Sequence, residues 1–252
     1  MPGAHPTTRF SDRVENYVLY RPGYPAEAVQ TLRSECALRP DHEIADVASG
    51  TGIWTRQLLE NGNPAFGVEP NAGMRAAAEQ MLSSFPRFTS VAGSAEATTL
   101  ADHSVDYVTV AQAAHWFERD AARREFARIL RPGAWLALLW NERLTDSSSF
   151  LREYEQMLLT YGTDYNEVRQ ERTTAAVSQF FSPGFQQREF EMCQSLDYAG
   201  LEGRLLSSSY APGPGHPEHH PMLRALRRMF EAHAVAGRVR FEYLTRLYFG
   251  RP

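Results

Sequence analysis

Short apolar runs alternate with amphipathic helical patterns through the first 140 residues of the chain, and this alternation leaves few folds open. The apolar runs that we interpret as strands are residues 43–48, 65–70, 88–94, 105–112 and 134–140. Between them, apolar residues recur at the helical period of about 3.6, as at Met74, Ala78, Met81 and Leu82. Strands that are joined through helices pair in parallel and are covered on both faces. The pattern therefore predicts a doubly wound, Rossmann-like α/β sheet.

The pattern changes after about residue 145. Two further strands, at residues 188–196 and 239–250, alternate in polarity, which is typical of antiparallel pairing. We therefore expect a single domain with a seven-stranded sheet, mostly parallel with an antiparallel edge strand, and a helical cap. Its predicted parts are N-terminal lid helices at 1–36, a ligand-binding core at 40–142, cap insertions with a strand at 145–236, and a last strand at 238–252.

Composition excludes several classes of function. The formal net charge is −4, so the chain as a whole has no general attraction for nucleic acid. The sequence contains no lysine, which excludes P-loop, protein-kinase and pyridoxal-phosphate chemistry. The longest apolar run, residues 134–140, is far shorter than the roughly 20 residues that cross a bilayer. We expect a cytoplasmic monomer or homodimer without nucleic-acid or membrane partners, with Cys36 and Cys193 as buried thiols.

The segment ASGTG, residues 48–52, joins the first predicted strand to the first helix of the core. Gly50 and Gly52 would let the backbone approach a ligand closely, because neither has a Cβ. A dinucleotide fingerprint would place a third glycine at position 55, where this chain has Thr55. Glu69, at the end of the second strand, is placed to accept hydrogen bonds from the ribose hydroxyls of an adenosine. The bend thus indicates a ribose-bearing ligand, with a plain strand-to-helix turn as the alternative.

Four segments in this order resemble the motifs of class I S-adenosylmethionine-dependent methyltransferases. They are ADVASGTG (45–52), GVEPNAGM (67–74), GSAEATTLADHSVDYVTVAQAAHWF (93–117) and ILRPGAWLALLWNE (129–142). The resemblance is strongest to the small-molecule group that includes trans-aconitate methyltransferase. One departure is Ala48 with Ser49, where the family usually has glycine and a small or cysteine residue.

The resemblance implies S-adenosylmethionine as the cofactor and assigns residues to it. Glu69 would hold the ribose, Pro70 and Met74 would pack on the adenine, and Arg21 would lie near the cofactor carboxylate or an acidic substrate. The implied cofactor contacts are Tyr20, Arg21, Asp46, Ala48, Gly50, Thr51, Gly52, Glu69, Pro70, Met74, Ser94, Ala95, Glu96 and Gln112. The residues expected in the substrate pocket are Tyr17, His115, Trp116 and Trp140.

His115 directly follows the fourth predicted strand, at the carboxyl edge where ligands bind in such folds. It would act as a catalytic base if the methyl acceptor carries a proton, as an alcohol or amine does. Alternatively, it only fixes its own loop while Trp116 forms the floor of the pocket. A carboxylate acceptor is already ionised at neutral pH and needs no base. We expect a small-molecule acceptor and slightly favour a carboxylate or hydroxyl oxygen.

Three histidines, His216, His219 and His220, lie in a proline-rich loop. Their spacing is not that of a regular helical or strand metal site, and no fourth ligand is evident, so we expect no metal. Two other functions stay open at this point. One is a non-catalytic protein that binds S-adenosylmethionine or S-adenosylhomocysteine, and the other, less favoured, is an NAD-dependent oxidoreductase.

Overall fold

A computed structural model of the chain describes residues 14–166, 177, 179–181 and 184–252, so the predicted lid residues before position 14 lie outside it. The helices are α1 (Val14–Tyr20), α2 (Ala26–Glu35), α3 (Ile53–Glu60), α4 (Ala72–Met81), α5 (Arg119–Ile129), α6 (Ser149–Tyr161), α7 (Tyr198–Leu206) and α8 (His219–His233). The strands are β1 (Ile44–Val47), β2 (Ala65–Val68), β3 (Phe88–Val91), β4 (Val105–Ala111), β5 (Leu130–Arg143), β6 (Phe185–Leu196) and β7 (Val239–Gly250).

The strands form one sheet in the order β3-β2-β1-β4-β5-β7-β6. Strands β1 to β5 are parallel, and β7 runs antiparallel to both β5 and β6. The predicted seven-stranded, mostly parallel α/β fold is therefore confirmed. The reversed strand β7 lies one position inside the edge, and the edge strand β6 runs in the same direction as β1 to β5.

Side chains of alternate strand residues point to opposite faces of the sheet and pack into two separate cores, one on each face. Leu136 and Leu138 of β5 pack with α5, and the intervening residues Ala137 and Leu139 pack with α2 and α3. All four of these residues are fully buried. The sheet is thus covered on both sides, as the continuous apolar pattern of its central strands predicts.

A third core lies in the cap. Helices α6, α7 and α8 pack on the first half of β7, where Leu151, Leu205 and Leu226 meet Phe241. The last helix, α8, buries Met222, Leu226 and Met229 in this core. This cap stands over the carboxyl ends of the parallel strands, where it can close a ligand site.

Two details differ from the sequence predictions. Strand β5 begins at Leu130, before the strand predicted at 134–140, and residues 131–133 form an irregularity in it, since Val105 pairs with Leu130 but Tyr107 pairs with Trp135. Cys36 is buried as expected, whereas Cys193 is exposed. Cys193 lies on the edge strand β6, much of which is only partly covered. Among the described helices, none is both long enough and apolar enough to cross a membrane.

Candidate functional site

A cavity of about 830 Å³ lies at the carboxyl ends of the parallel strands and extends beneath the cap. The strand order reverses between β1 and β4, so the loops after these two strands diverge and leave a crevice, the position where open α/β sheets bind ligands. The predicted site residues that line the cavity are Tyr17, Arg21, Ala48, Gly50, Thr51, Glu69, Pro70, Met74, Ser94, Ala95, Glu96, Gln112, His115, Trp116 and Trp140. The fold therefore brings most of the predicted set into one space.

Three predicted residues, Tyr20, Asp46 and Gly52, are not among those that line the cavity. Asp46 is fully buried, where its carboxylate accepts hydrogen bonds from Thr55 Oγ1 (2.5 Å) and Thr109 Oγ1 (3.2 Å). Burial raises the pKa of Asp46 to about 7, against the effect of these two hydroxyls. The carboxylate of Asp46 therefore contacts helix α3 and strand β4 and lies outside the cavity lining.

Packing explains the other two positions. Gly52 faces α4, where a Cβ would lie 2.7 Å from Leu82 Cδ1. Tyr20 lays its ring against Gly203 of α7, and its carbonyl oxygen accepts a hydrogen bond from Gln194 Nε2 (3.3 Å). Tyr20 thus holds α1 against the cap, and Gly52 allows α3 and α4 to approach each other closely.

Glu69 joins the glycine bend to the start of α4. Its Oε2 accepts a hydrogen bond from the Gly50 N–H (3.0 Å) and its Oε1 accepts one from the Asn71 N–H (2.9 Å). Burial raises the pKa of the Glu69 carboxyl, and these two N–H groups act in the opposite direction. Because a carboxylate oxygen has two lone pairs, each oxygen can still accept a further hydrogen bond.

The bend itself leaves open space on the cavity side. Gly50 has φ +58°, and a Cβ built on it would have no heavy atom within 4 Å. Ala48 and Gln112, at the ends of the neighbouring strands β1 and β4, also have positive φ values of 56° and 62°. Such backbone strain in non-glycine residues is concentrated at functional sites. Two of the six non-glycine residues with positive φ in the described part of the chain therefore lie at this crevice.

Asn141 is a site residue that the sequence did not reveal. It is buried near the end of β5, and its carbonyl oxygen accepts a hydrogen bond from Gln112 Nε2 (3.0 Å). Its side chain donates to the Gly23 carbonyl (2.8 Å) and accepts from Thr245 Oγ1 (2.6 Å). Asn141 thereby ties the segment before α2 to the strained end of β4. Its only signal in the sequence is a polar residue that directly follows an apolar strand.

Aromatic rings form one wall of the cavity. His115 lies in a 3-10 turn, Ala114–Trp116, with its ring centroid 4.4 Å from that of Trp116 and 5.3 Å from that of Trp140. Arg21 stands over the Tyr17 ring at 4.8 Å and donates a hydrogen bond to the Ser207 carbonyl (2.8 Å). Predicted residues from α1, from the turn after β4 and from β5 therefore meet around one space.

Three buried polar atoms in the cavity wall have no hydrogen-bond partner within the described part of the chain. They are Thr51 Oγ1, Trp54 Nε1 and Trp140 Nε1. A buried polar group without a partner destabilises the folded state by about 1 to 3 kcal/mol. Native proteins contain few such groups, and a polar ligand in the cavity would supply partners for them.

The cap end of the cavity carries polar residues that the sequence analysis missed. Arg143 forms an ion pair with Glu155 and donates a hydrogen bond to Tyr165 Oη (2.7 Å). Arg204 of α7 donates to Tyr243 Oη (3.0 Å) of β7. These residues lie on separate elements outside the recognisable motifs, so no local pattern identified them. Within the described ranges, no group of three or more His, Cys, Asp or Glu residues is placed to hold a metal ion.

The histidines of the proline-rich loop stay outside the cavity lining. His219 is buried at the start of α8, where its Nδ1 lies 2.8 Å from the Pro212 carbonyl oxygen. His216 Nδ1 accepts a hydrogen bond from the Glu218 N–H (3.1 Å). These contacts give His216 and His219 local structural roles.

Part of the chain is similar in sequence to known methyltransferases. Residues 45–138 match the family model described as a methyltransferase domain. An uncharacterised methyltransferase of Mycobacterium tuberculosis strain H37Rv is 36% identical over 160 residues, which are 64% of this chain and 61% of that protein. The chain thus spans about three fifths of the length of this curated relative.

Solved structures share the fold. A proposed type II methyltransferase from Anaeromyxobacter dehalogenans has a TM-score of 0.68 at 22% identity, covering 92% of this chain and 98% of that one. A phosphoethanolamine N-methyltransferase of Haemonchus contortus, solved with phosphomonomethylethanolamine and S-adenosylhomocysteine, has a TM-score of 0.52 at 15% identity, covering 98% of this chain and 58% of that one. The chain therefore has the Rossmann-like fold of methyltransferases, and the matching domain lies at residues 45–138.

Proposed function

We propose that this protein is an S-adenosylmethionine-dependent methyltransferase that acts on a small-molecule acceptor, with a carboxylate or hydroxyl oxygen favoured as the accepting atom. The observation that carries the proposal is the open bend at Gly50, bonded to the buried Glu69 carboxylate at the switch point of the sheet. The match of residues 45–138 to a methyltransferase domain supports it. So does the S-adenosylhomocysteine bound in a methyltransferase of the same fold.

The residues around the bend fit the chemistry of this cofactor. Glu69 would accept hydrogen bonds from the ribose hydroxyls with the lone pairs that its backbone contacts leave over. Met74, which is buried in the cavity wall, would pack on the adenine. The guanidinium of Arg21 would face the carboxylate of the methionine part. Thr51 Oγ1 would gain a hydrogen-bond partner.

S-adenosylmethionine, when bound, supplies a methyl group on a positively charged sulfur. The main tasks of the chain are then to align the acceptor and to exclude water, and alignment alone can lower a barrier by roughly 7 to 11 kcal/mol. The aromatic wall of His115, Trp116 and Trp140 would hold an acceptor and shield it from solvent. If the acceptor is an alcohol, His115 would take its proton; a carboxylate needs no base.

The concave cavity beneath the cap and the net charge of −4 favour a small molecule over a nucleic acid. A cytoplasmic location, a monomeric or homodimeric state and kinship with the trans-aconitate methyltransferase group belong to the same proposal. They rest on the sequence patterns described above.

Calorimetric titration with S-adenosylmethionine and S-adenosylhomocysteine, with NAD as the control ligand, tests the proposal. We expect both sulfur ligands to bind and NAD to bind weakly. Glu69→Ala should raise the Kd at least about tenfold, because a charged hydrogen-bond acceptor is lost. Glu60→Ala is the matched control, since Glu60 is exposed and pairs with Arg56 on α3. Folded wild-type protein that binds neither sulfur ligand would refute the proposed function.

A further inference from the structure

Arg204 differs from two other arginines of the cavity wall in the charge of its partners. Arg143 is paired with Glu155, and Arg246 is paired with both Glu142 and Glu189. Arg204 also lines the cavity and is only 6% exposed, yet no carboxylate pairs with it anywhere in the described part of the chain. A buried, uncompensated positive charge therefore faces the cap end of the cavity.

The contacts of Arg204 are all to neutral groups. Its Nε donates to Tyr243 Oη (3.0 Å) and its Nη1 donates to Ser208 Oγ (3.1 Å). Tyr243 Oη in turn donates to Gln194 Oε1 (2.8 Å), which fixes the phenol as an acceptor toward the guanidinium. The Nη2 group makes no hydrogen bond to any described residue. The side chain is therefore held in place while donor capacity remains unused.

Packing alone does not account for the charge. The guanidinium lies 5.6 Å from the ring centroid of Phe241 and 6.0 Å from that of Tyr243, at the outer limit of cation–π attraction. Contacts at this distance offset less than the cost of removing an isolated guanidinium from water. Buried charges in proteins are normally paired, so an anion is the expected partner. The planar fork of arginine suits the two oxygens of a carboxylate or a phosphate.

We propose that Arg204 binds an anionic group, a carboxylate or a phosphate, of the methyl acceptor and so selects acidic acceptors. That the anionic group belongs to a methyl acceptor rests on the proposed function. That Arg204 binds an anionic group rests on its buried charge alone. The cofactor carboxylate already has Arg21 as its proposed partner, so Arg204 on the cap helix α7 is left for the acceptor. Arg204 is thus a specificity-determining residue of the acceptor half.

The first experiment needs no knowledge of the acceptor. Crystals grown with S-adenosylhomocysteine are soaked in sodium bromide, and the bromide positions are read from anomalous difference maps. We expect a bromide within hydrogen-bond distance of the Arg204 guanidinium, and its loss in crystals of Arg204→Gln. A guanidinium that keeps only Tyr243 and Ser208 as partners, with no bromide beside it, would overturn the proposal.

The second experiment compares acceptors in pairs: carboxylic acids with their primary amides, and phosphate monoesters with the parent alcohols. We expect methyl transfer to the anionic member of a pair, and which series reacts identifies the anion. Arg204→Gln should lower kcat/KM for that acceptor by about 10- to 100-fold, chiefly through KM, with the Kd for S-adenosylhomocysteine unchanged. The kcat/KM of Arg204→Lys should lie between those of the wild type and Arg204→Gln, because lysine keeps the positive charge but lacks the planar fork of arginine.

The control variant is Arg188→Gln, since Arg188 is exposed on the edge strand and pairs with Glu35. Equal use of amides and acids, or a loss of S-adenosylhomocysteine affinity in Arg204→Gln as large as the loss in kcat/KM, would overturn the assignment to the acceptor. If wild-type protein binds no S-adenosylhomocysteine, the proposed function fails instead, and bromide soaks of ligand-free crystals still decide whether Arg204 binds anions. If neither member of any pair is methylated, the bromide map still decides whether Arg204 binds anions.

Discussion

Gly50 and Gly52 are two residues apart in one bend, and the structure predicts that replacing Gly52 with alanine costs more stability, whereas replacing Gly50 with alanine costs more ligand affinity. Both have positive φ, +58° and +84°, so each alanine costs about 1 to 2 kcal/mol of backbone strain. For Gly50→Ala nothing else is added, because the new methyl group meets no protein atom within 4 Å. We expect its Tm to fall by about 2 to 8 °C.

Gly52→Ala adds a steric conflict, since the methyl group would lie 2.7 Å from Leu82 Cδ1. Overpacking of this kind costs about a further 1 to 3 kcal/mol, so Gly52→Ala should be the less stable variant. Ligand affinity should show the reverse order. The Gly50 methyl group enters the space that the cofactor is proposed to fill, which should weaken binding of S-adenosylhomocysteine by about 5- to 150-fold.

Differential scanning calorimetry and titration calorimetry of the two variants measure these effects on the same preparations. If Gly50→Ala binds S-adenosylhomocysteine as tightly as the wild type, the ligand does not approach this bend. If Gly50→Ala is less stable than Gly52→Ala, then Gly50 does not face open space and Gly52 does not face helix packing as described here.

Two further predictions concern buried polar groups beside the bend. Because the pKa of Asp46 is raised from 3.8 to about 7, the native state holds a proton that the unfolded chain releases. The free energy of unfolding, measured by urea denaturation, should therefore fall as the pH rises from about 4 to about 7. Asp46→Asn should flatten this pH dependence. If the pH dependence is unchanged in Asp46→Asn, groups other than Asp46 cause it. Thr51→Val removes a buried hydroxyl without a described partner, so the ligand-free protein should lose no stability while S-adenosylhomocysteine binds more weakly. A loss of stability together with unchanged affinity would show that the hydroxyl serves the protein alone.

Local pattern was sufficient to predict the parallel core. The central strands are short apolar runs bounded by helical periods, and each of these signals lies within a few residues of the chain. The position of β7 inside the edge was not predictable in this way. Alternating polarity in residues 239–250 indicates antiparallel pairing, but the choice of partners depends on contacts with residues about 40 to 115 positions away.

The candidate site likewise has one part that local sequence patterns predict and one part that depends on contacts distant in sequence. The side proposed for the cofactor consists of residues adjacent in sequence to strand ends, such as Gly50 and Glu69, so a motif contains them. The cap side unites Arg143, Arg204 and Tyr243 from three elements, and only the tertiary structure brings them together. Asp46 lies inside the motif but outside the cavity lining, because its carboxylate accepts hydrogen bonds from Thr55 and Thr109; which motif residues reach the cavity is decided by such tertiary contacts.

Strand β7 belongs to all three cores at once. Its first half supplies Phe241 and Tyr243 to the cap, and its second half supplies Tyr248 to the core beneath α5 and Leu247 and Phe249 to the packing beneath α2 and α3. The cap is therefore not a module that could be exchanged between proteins at its loops, because any exchange would cut through a strand in the middle of the sheet. In a chain built in this way, single substitutions in the cavity wall are the readier route to a new ligand preference than the acquisition of a new cap.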